Sequence, residues 1–453
     1  MGVSGLSADG REAIDLLVAM IRNACVNDGS VTGGHEHRSV ETLQDYFGRG
    51  GTVVEPEPGR QSVVYRVPGT GDGPALLLLP HLDVVPASGN AWTHDPFAGV
   101  RADGFVYGRG AVDMLNVTAA MAVVFKAYLD GALEPLPGDL VFAGVADEEA
   151  GGQYGAAHLV ERHWDLVACN YVLTEVAAPS FPATNGPVLP VTVAEKGPAW
   201  RRMRTHGISG HGSQPFGTSN ALTPLAEALA KLAAAPTPVD ITEDWRRFVT
   251  GLDLAADMEQ RLLDADLVDG AIEDLAADDP AFARWVHACT HLTITPTMLD
   301  AGVKMNVVPE SGEGFVDVRK LPGQDEAAVD DHLRKVLGPA LYDEIEFEPF
   351  MEFPATSSSA SGPLWDAIGD AAEDLTGSRS LVPAITPVGT DARFFRARGI
   401  PGYGVGLFDN QVTFAEMLAM FHGDDERVSE RSVDLTTQML GTTLRRFGSR
   451  ATQ

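Results

Sequence analysis

Apolar positions recur at Ile14, Leu17, Val18, Ile21 and Cys25, the spacing of one helical face, and a second helix is predicted over 35–47, ending at Gly48. Strand-like stretches follow at 52–54 and 62–66. Four successive leucines then occupy 76–79 before Pro80, and an apolar run without alternation predicts a strand covered on both faces. Two more buried strands are predicted at 139–145 and 170–173. Between them and the leucine strand lie a loop over 87–108, carrying Trp92, His94 and Phe97, and a helix over 117–129. Strand, acidic loop and helix in repetition predict a parallel sheet with crossover helices.

Near Pro190 this regularity lapses. Strands are predicted at 191–195 and 199–206, the glycine-rich stretch 207–217 leads into an alanine-rich helix over 221–234, and an acidic helical insert runs over 242–291. Further strands are predicted at 292–295, 314–319 and 344–348. Elements without regular βαβ alternation suggest an α+β domain inserted into the first one. A serine-rich linker at 356–361 precedes helix, strand and helix, so the first domain resumes. The expected architecture is α/β: a mixed, mostly parallel sheet with helices on both faces, formed by 1–189 and 355–453, with an inserted α+β domain over 190–354.

Composition narrows the partners. With 33 basic against 63 acidic residues the formal charge is -30, which repels nucleic acid and anionic membranes. Three cysteines far apart, Cys25, Cys169 and Cys289, argue for a reducing compartment rather than a disulfide framework. The first ten residues carry no leader pattern and no apolar run reaches spanning length, so a cytoplasmic protein is expected.

Candidate chemistry gathers at predicted strand ends and acidic loops. His81 follows the leucine strand, with Asp83 two residues on; Asp113 lies in GRGAVDM, Glu148 and Glu149 in ADEEAGG, Glu175 after the third buried strand and His422 in FHGDDERVS. In open α/β sheets ligands gather beyond the carboxyl ends of strands. Any one of these residues alone reads as an ordinary turn residue. Together, two imidazoles and three carboxylates suit two zinc-like ions sharing one carboxylate, with one further carboxylate free for acid-base work. Asp83 is spaced to accept the second imidazole N–H of His81. His287 and His291 flank Cys289 at i, i+4 but lack the glutamate of HExxH, so they read as structural. Gly210, Gly212 and Gly217 lack dinucleotide-loop spacing. The histidines at His35, His37, His94, His158, His163, His206 and His332 read as surface or core residues, with His94 able to border the cleft.

In this order HLDVVP (81–86), GRGAVDM (108–114), ADEEAGG (146–152), Glu175, GTDARFF (389–395) and HGDDERVS (422–429) resemble the successive motifs of the M20 metallopeptidase family, over about residues 10–447. That group contains aminoacylases, glutamate carboxypeptidases, acetylornithine deacetylases and succinyl-diaminopimelate desuccinylases. The resemblance implies a zinc-peptidase-like catalytic domain and a lid domain that often dimerises. It implies two zinc ions, with cobalt or manganese as alternatives: His81 and Glu175 on one, Glu149 and His422 on the other, and Asp113 bridging. Glu148 is then the general base on a water between the metals, Asp83 orients His81, and the Asp113–Met114 peptide is cis.

EKG at 195–197, SGHGSQP at 209–215, Asn220 and NVVP at 306–309 resemble lid motifs. His211 resembles the histidine that polarises the scissile carbonyl, supplied in dimeric relatives by the other subunit. Leu115 and Asn116 depart from the Lys-Gly common after the bridging aspartate. In the family, glutamate at the place of Glu175 accompanies aminoacylase and carboxypeptidase activity, and aspartate accompanies aminopeptidases. Arg393 and Asn306 are the candidates for gripping a substrate carboxylate. VTFAEMLAMF (412–421), although helical core by spacing, can wall the cleft with apolar side chains. The expected substrates are N-acyl amino acids, or peptides cut from the C-terminal side, with apolar groups preferred. The alternatives are an aminopeptidase or dipeptidase of the same fold, or a non-catalytic binding member.

Overall fold

The computed structural model describes residues 5–450 apart from 88, 90, 176 and 177. The leader reading and the 87–108 loop therefore fall in part outside the described residues. A nine-stranded mixed sheet runs in the order Thr52–Glu57, Arg60–Val67, Leu140–Gly144, Leu76–Leu78, Tyr171–Thr174, Gly402–Gly404, Leu189–Glu195 and Thr356–Ser357, with Leu381–Thr386 also beside Leu189–Glu195. Its centre is parallel: Leu76–Leu78 pairs in parallel with both Leu140–Gly144 and Tyr171–Thr174, and Gly402–Gly404 continues that direction. The fold is thus the α/β arrangement with a mixed sheet that the pattern predicts.

The leucine run shows why the pattern is legible. Leu76 and Leu78 enter the core on one face, with the helices Ala8–Asn23, Leu115–Leu129 and Glu430–Arg450, while Leu77 and Leu79 enter the core on the other. All four are within 1% of complete burial, which contributes about 1.5–3 kcal/mol per side chain. Ser7 caps the first helix by accepting from the Gly10 N–H, and its own N–H reaches Asp434 at 3.3 Å, which ties this helix to the last one.

Several boundaries differ from expectation. The loop after the leucine strand contains two short strands, Val100–Ala102 and Phe105–Tyr107, which form a separate sheet with Arg427–Ser429. Their three-residue length is too short to show alternation. The serine-rich linker begins as an edge strand: Thr356 Oγ1 donates to Glu195 Oε1 at 2.6 Å and the Ser358 N–H to the Val193 carbonyl at 2.9 Å. Hydrogen-bonding hydroxyls here do the work that apolar side chains do elsewhere.

A second, four-stranded antiparallel sheet runs Thr293–Ala301, Ser311–Lys320, Gly197–His206, Glu346–Glu352, and is covered by the helices Leu222–Ala234 and Glu326–Leu337 around its own core. The acidic insert forms four helices, Glu243–Gly251, Ala256–Leu262, Val268–Asp278 and Pro280–Thr290. They bury Trp245, Phe248, Trp285 and Val286 in the larger core rather than under the four-stranded sheet. Among the described residues no helix is long and apolar enough to cross a membrane.

Candidate metal centre

The carboxyl ends of the central strands deliver the first groups. Leu76–Leu78 continues through Leu79, whose N–H donates to the Leu173 carbonyl, to His81, which bridges to Val145. Glu175 follows Tyr171–Thr174 directly. Asp113 ends the turn before the helix Leu115–Leu129, and the Asp113–Met114 peptide is cis. His422 has φ 58° and follows the short helix Phe414–Met420, which opens on a capping box between Thr413 and Glu416.

The resulting geometry converges on Asp113. His81 Nε2 lies 3.3 Å from Asp113 Oδ1 and 3.5 Å from Glu175 Oε2. His422 Nε2 lies 3.6 Å from the other oxygen, Asp113 Oδ2, and 3.3 Å from Glu149 Oε2. One carboxylate therefore faces two imidazoles, one through each oxygen, and each imidazole faces one further carboxylate. Glu149 Oε1 is buried without a partner, and Glu148 groups with His81 and Glu175 closely enough to hold an ion. A donor set of nitrogens and oxygens with unsatisfied buried lone pairs fits divalent zinc-like cations.

Electrostatics record the crowding of negative charge. Burial pushes Glu149 up to about 7, reinforced by Asp113 and opposed by His422. Burial raises Glu175 to about 8 against the pull of His81, and raises Glu148 well above the carboxylate range, reinforced by Glu175. For His81 burial acts to lower the pKa, but Glu175 and Asp113 outweigh it and the net direction is upward. Hydrogen bonding to Asp113 and Glu149 raises His422 to about 10. Burial acts to raise Asp113, yet bonding to His422 and His81 carries it below its usual range.

The surroundings fix these groups. His81 Nδ1 is 2.9 Å from the backbone carbonyl of Asp83, whereas the Asp83 carboxylate stands 3.6 Å away. The orienting contact comes from residue 83, but from its main chain. The carboxylate instead accepts the N–H groups of Glu148 and Glu149, both at 3.2 Å, and the Asn27 side-chain amide at 2.8 Å. Asp147, at φ 73°, shapes the turn before them and is held by the Tyr154 N–H at 2.9 Å and by buried Arg60. Glu426 accepts the N–H groups of Gly110, Val112 and Asp113 and pairs with Arg109 at 2.8 Å, so it braces the turn carrying Asp113.

Asn27, Arg60, Glu36 and Glu426 brace the cluster from behind, and none of them carries a sequence signal of its own. Glu426 lay inside HGDDERVS, but nothing local marks which acid of that run is buried. Arg60 and Glu36 are 3.5 Å apart and almost wholly buried, yet Glu36 only opens the predicted helix over 35–47 and Arg60 only precedes the strand predicted at 62–66, and neither position marks a buried charge.

The cluster opens on a cavity of about 440 Å³, lined by Asp113, Glu148, Glu149, Glu175 and His422 and, beyond them, by mostly aromatic and aliphatic side chains. Arg393 lines it, 3.9 Å from Glu148 Oε1, and already donates to the carbonyls of Thr390 and Gly151. Arg319, not singled out from the sequence, also lines it and is held by Asp317 at 2.8 Å. The helix Phe414–Met420 contributes Phe414, Met417 and Leu418 to the wall. His211 and Asn306 are exposed and are not brought to this cavity: His211 pairs in sequence register with Val307, next to Asn306, and its Nδ1 is 2.7 Å from Ser213 Oγ. His287 and His291 stack on each other at 4.1 Å, with His291 Nε2 3.1 Å from Asp269, away from the cluster.

Known proteins share this arrangement of chain. Aminoacylase-1 of Sus scrofa is 30% identical over 413 residues, covering 88% of this chain and 88% of its own. Succinyl-diaminopimelate desuccinylase of Methylorubrum extorquens is 28% identical over 437 residues, covering 94% and 97% respectively. Among solved structures, the M20 family metallo-carboxypeptidase Sso-CP2 from Sulfolobus solfataricus matches at a TM-score of 0.70 with 17% identity, over 97% of this chain and 99% of that one. The YXEP protein of Bacillus subtilis, a dinuclear metal-binding peptidase, matches at 0.56 with 16% identity, over 96% and 98%. The family model for peptidase family M20/M25/M40 matches residues 77–446, so the chain belongs to that family and is a metallohydrolase.

Proposed function

We propose that this protein is a two-metal amidohydrolase that cleaves N-acyl amino acids, or peptides at their C-terminal bond. The observation that carries the reading is Asp113, with one oxygen toward His81 and the other toward His422. His81 and Glu175 would hold one zinc, Glu149 and His422 the second, and Asp113 both; cobalt or manganese suit the same donors. When bound, two such ions polarise an amide carbonyl and make a neighbouring water more acidic.

The chain's own groups supply the rest. Glu148 takes the proton from the attacking water and hands it to the leaving amine nitrogen. Asp83 holds the Glu148–Glu149 turn through its carboxylate and His81 through its carbonyl. Arg393 grips the free carboxylate of the leaving amino acid from the cavity wall, completed by Asn306 of the lid, which neighbours His211 on the same paired segments and arrives with it. His211 stabilises the oxyanion from a second subunit. Exposed Ile208, Phe216, Val303 and Met305 surround His211 and Asn306 in sequence, an apolar surface suited to a homodimer of this chain. The lid belongs to the inserted segment 190–354; its moving part is the four-stranded sheet with its two helices, because the helices of 243–290 share the larger core.

Elemental analysis combined with a panel of N-acyl amino acids tests this reading. Two equivalents of metal and hydrolysis of the free acids are expected. Amidating the substrate carboxylate should cost about 2 kcal/mol in kcat/KM if a charged hydrogen bond is lost. Equal rates for acid and amide, or faster cleavage of substrates with a free N-terminal amine, would point to an aminopeptidase or dipeptidase instead.

A further inference from the structure

The cavity lining contains two clusters of different chemistry. One is the carboxylates with His422; the other is the aromatic set Phe181, Phe248, Trp285 and Phe414, with Leu418 from the same helix as Phe414. Phe181, Phe248, Trp285 and Phe414 are one connected set, with ring centroids 5.7 Å apart for Phe181 and Phe248, 5.0 Å for Phe248 and Trp285, and 5.8 Å for Trp285 and Phe414. Most are contributed by the acidic helical insert and by the helix ahead of His422, which is why those segments pack into the larger core.

The two cations of the cavity are carried by other elements. Arg319 lies over Trp200 of the four-stranded sheet, and Arg393 lies over Phe353 and Phe394. Arg319 is paired with Asp317 through two contacts, and Arg393 is bound to two carbonyls. The rings these arginines cover, Trp200, Phe353 and Phe394, are not those of the Phe181–Phe248–Trp285–Phe414 cluster. An anionic group placed there would lose its hydration without gaining a partner, whereas an apolar group gains by leaving water.

Resting on the amidohydrolase reading, we infer that the aromatic cluster of the cavity receives the acyl group, and that the substrates are amino acids acylated by a bulky neutral group, an aromatic ring or an extended aliphatic chain. Succinylated amino acids, whose acyl group ends in a carboxylate, are excluded by the same wall. Trp285, with Phe248 packed behind it, is then a specificity-determining residue that a chain without the insert would lack.

The test is a kcat/KM series for the metal-loaded protein. One arm varies the acyl group on a fixed amino acid, from acetyl through butyryl and hexanoyl to decanoyl, with phenylacetyl and succinyl beside them. The second arm keeps acetyl and varies the amino acid from glycine to leucine to phenylalanine. The expected result is a rise in the first arm of about fourfold per added methylene until the pocket is full, the gain that burying a methylene supplies. Succinyl should fall below butyryl by on the order of a hundredfold. Trp285→Ala should flatten the first arm relative to wild type.

A rise confined to the second arm overturns the assignment to the acyl group. Turnover of acetyl substrates with both arms flat, or with succinyl preferred, overturns the apolar pocket and leaves the amidohydrolase reading standing. No turnover in either arm with both metals bound overturns both. If Trp285→Ala does not fold, the two wild-type arms alone still decide.

Discussion

At the scale of single residues the two-metal proposal separates holding metal from moving protons. Among the described residues Glu148 has no imidazole partner of its own within ion-pair distance, while Glu149 and Glu175 each face one. Glu148→Gln is therefore expected to keep its metal and lose about 10²–10⁴ in kcat, since a positioned base is worth that much. His422→Ala should lose metal as well as rate; elemental analysis of both variants distinguishes the two roles. The raised carboxyls make a further prediction for the metal-stripped protein. Glu149 and Glu175 titrate near 7 and 8 in the fold against an ordinary 4.5, so the folded state binds more protons than the unfolded one. Their contribution to stability is complete below about 4.5 and is lost as the pH rises through 7 and 8. His422, raised to about 10, acts in the same direction. Denaturation of the stripped protein should show stability falling between about pH 5 and pH 8, and calorimetry in two buffers should show protons released as metal binds. A stripped protein that gains stability over that range would mean the carboxyls are solvated.

At the scale of elements the sequence was legible where one face or both faces of an element meet the core. The leucine strand, the helix Leu115–Leu129 and the first helix were found because burial imposes a period or abolishes it. The same positions made His81, Asp113, Glu175 and His422 visible, since each stands at the end of such an element or inside a contiguous motif. Asn27, Arg60 and Glu36 were not visible, because a buried ion pair formed across the fold leaves no local pattern. The strands Val100–Ala102 and Phe105–Tyr107 were too short to have one, and the course of the insert was hidden because its amphipathic helices suit either core. One glycine shows how closely two elements meet behind the site. A methyl group on Gly155, at the start of the helix Ala156–Arg162, would collide with the carbonyl of Ala146, immediately before Asp147. Gly155→Ala should destabilise the protein by about 1–3 kcal/mol and lower kcat by displacing the Glu148–Glu149 turn. Urea unfolding beside steady-state kinetics checks both effects, and an unchanged kcat would detach this helix from the site.

At the scale of the whole molecule the question is whether one chain suffices. His211 and Asn306 stand apart from the cavity at a separate two-stranded pairing, Gly210–His211 with Val307–Val308, flanked in sequence by exposed Phe216, Met305 and Val303. If a second chain supplies His211, mixing Glu148→Gln with His211→Ala protein should restore activity, because each mixed dimer holds one site with both residues intact. Each variant is expected to be strongly impaired alone, so recovered turnover together with a dimeric sedimentation coefficient is the expected signature; no recovery from a proven mixed dimer would place His211 in its own chain's site. The bracing of the Asp113 turn by Glu426 has a different kind of consequence. The two residues are 313 positions apart, and His422 belongs to the same late segment. A ribosome adding about 5–20 residues per second needs roughly 15–60 s to cover that separation. For most of that interval the nascent chain carries Asp113, Glu149 and Glu175 without His422 and without the Glu426 brace. On the two-metal reading, loading of the full pair would be deferred until synthesis is nearly over, and the order of manufacture would set when the protein can first become active.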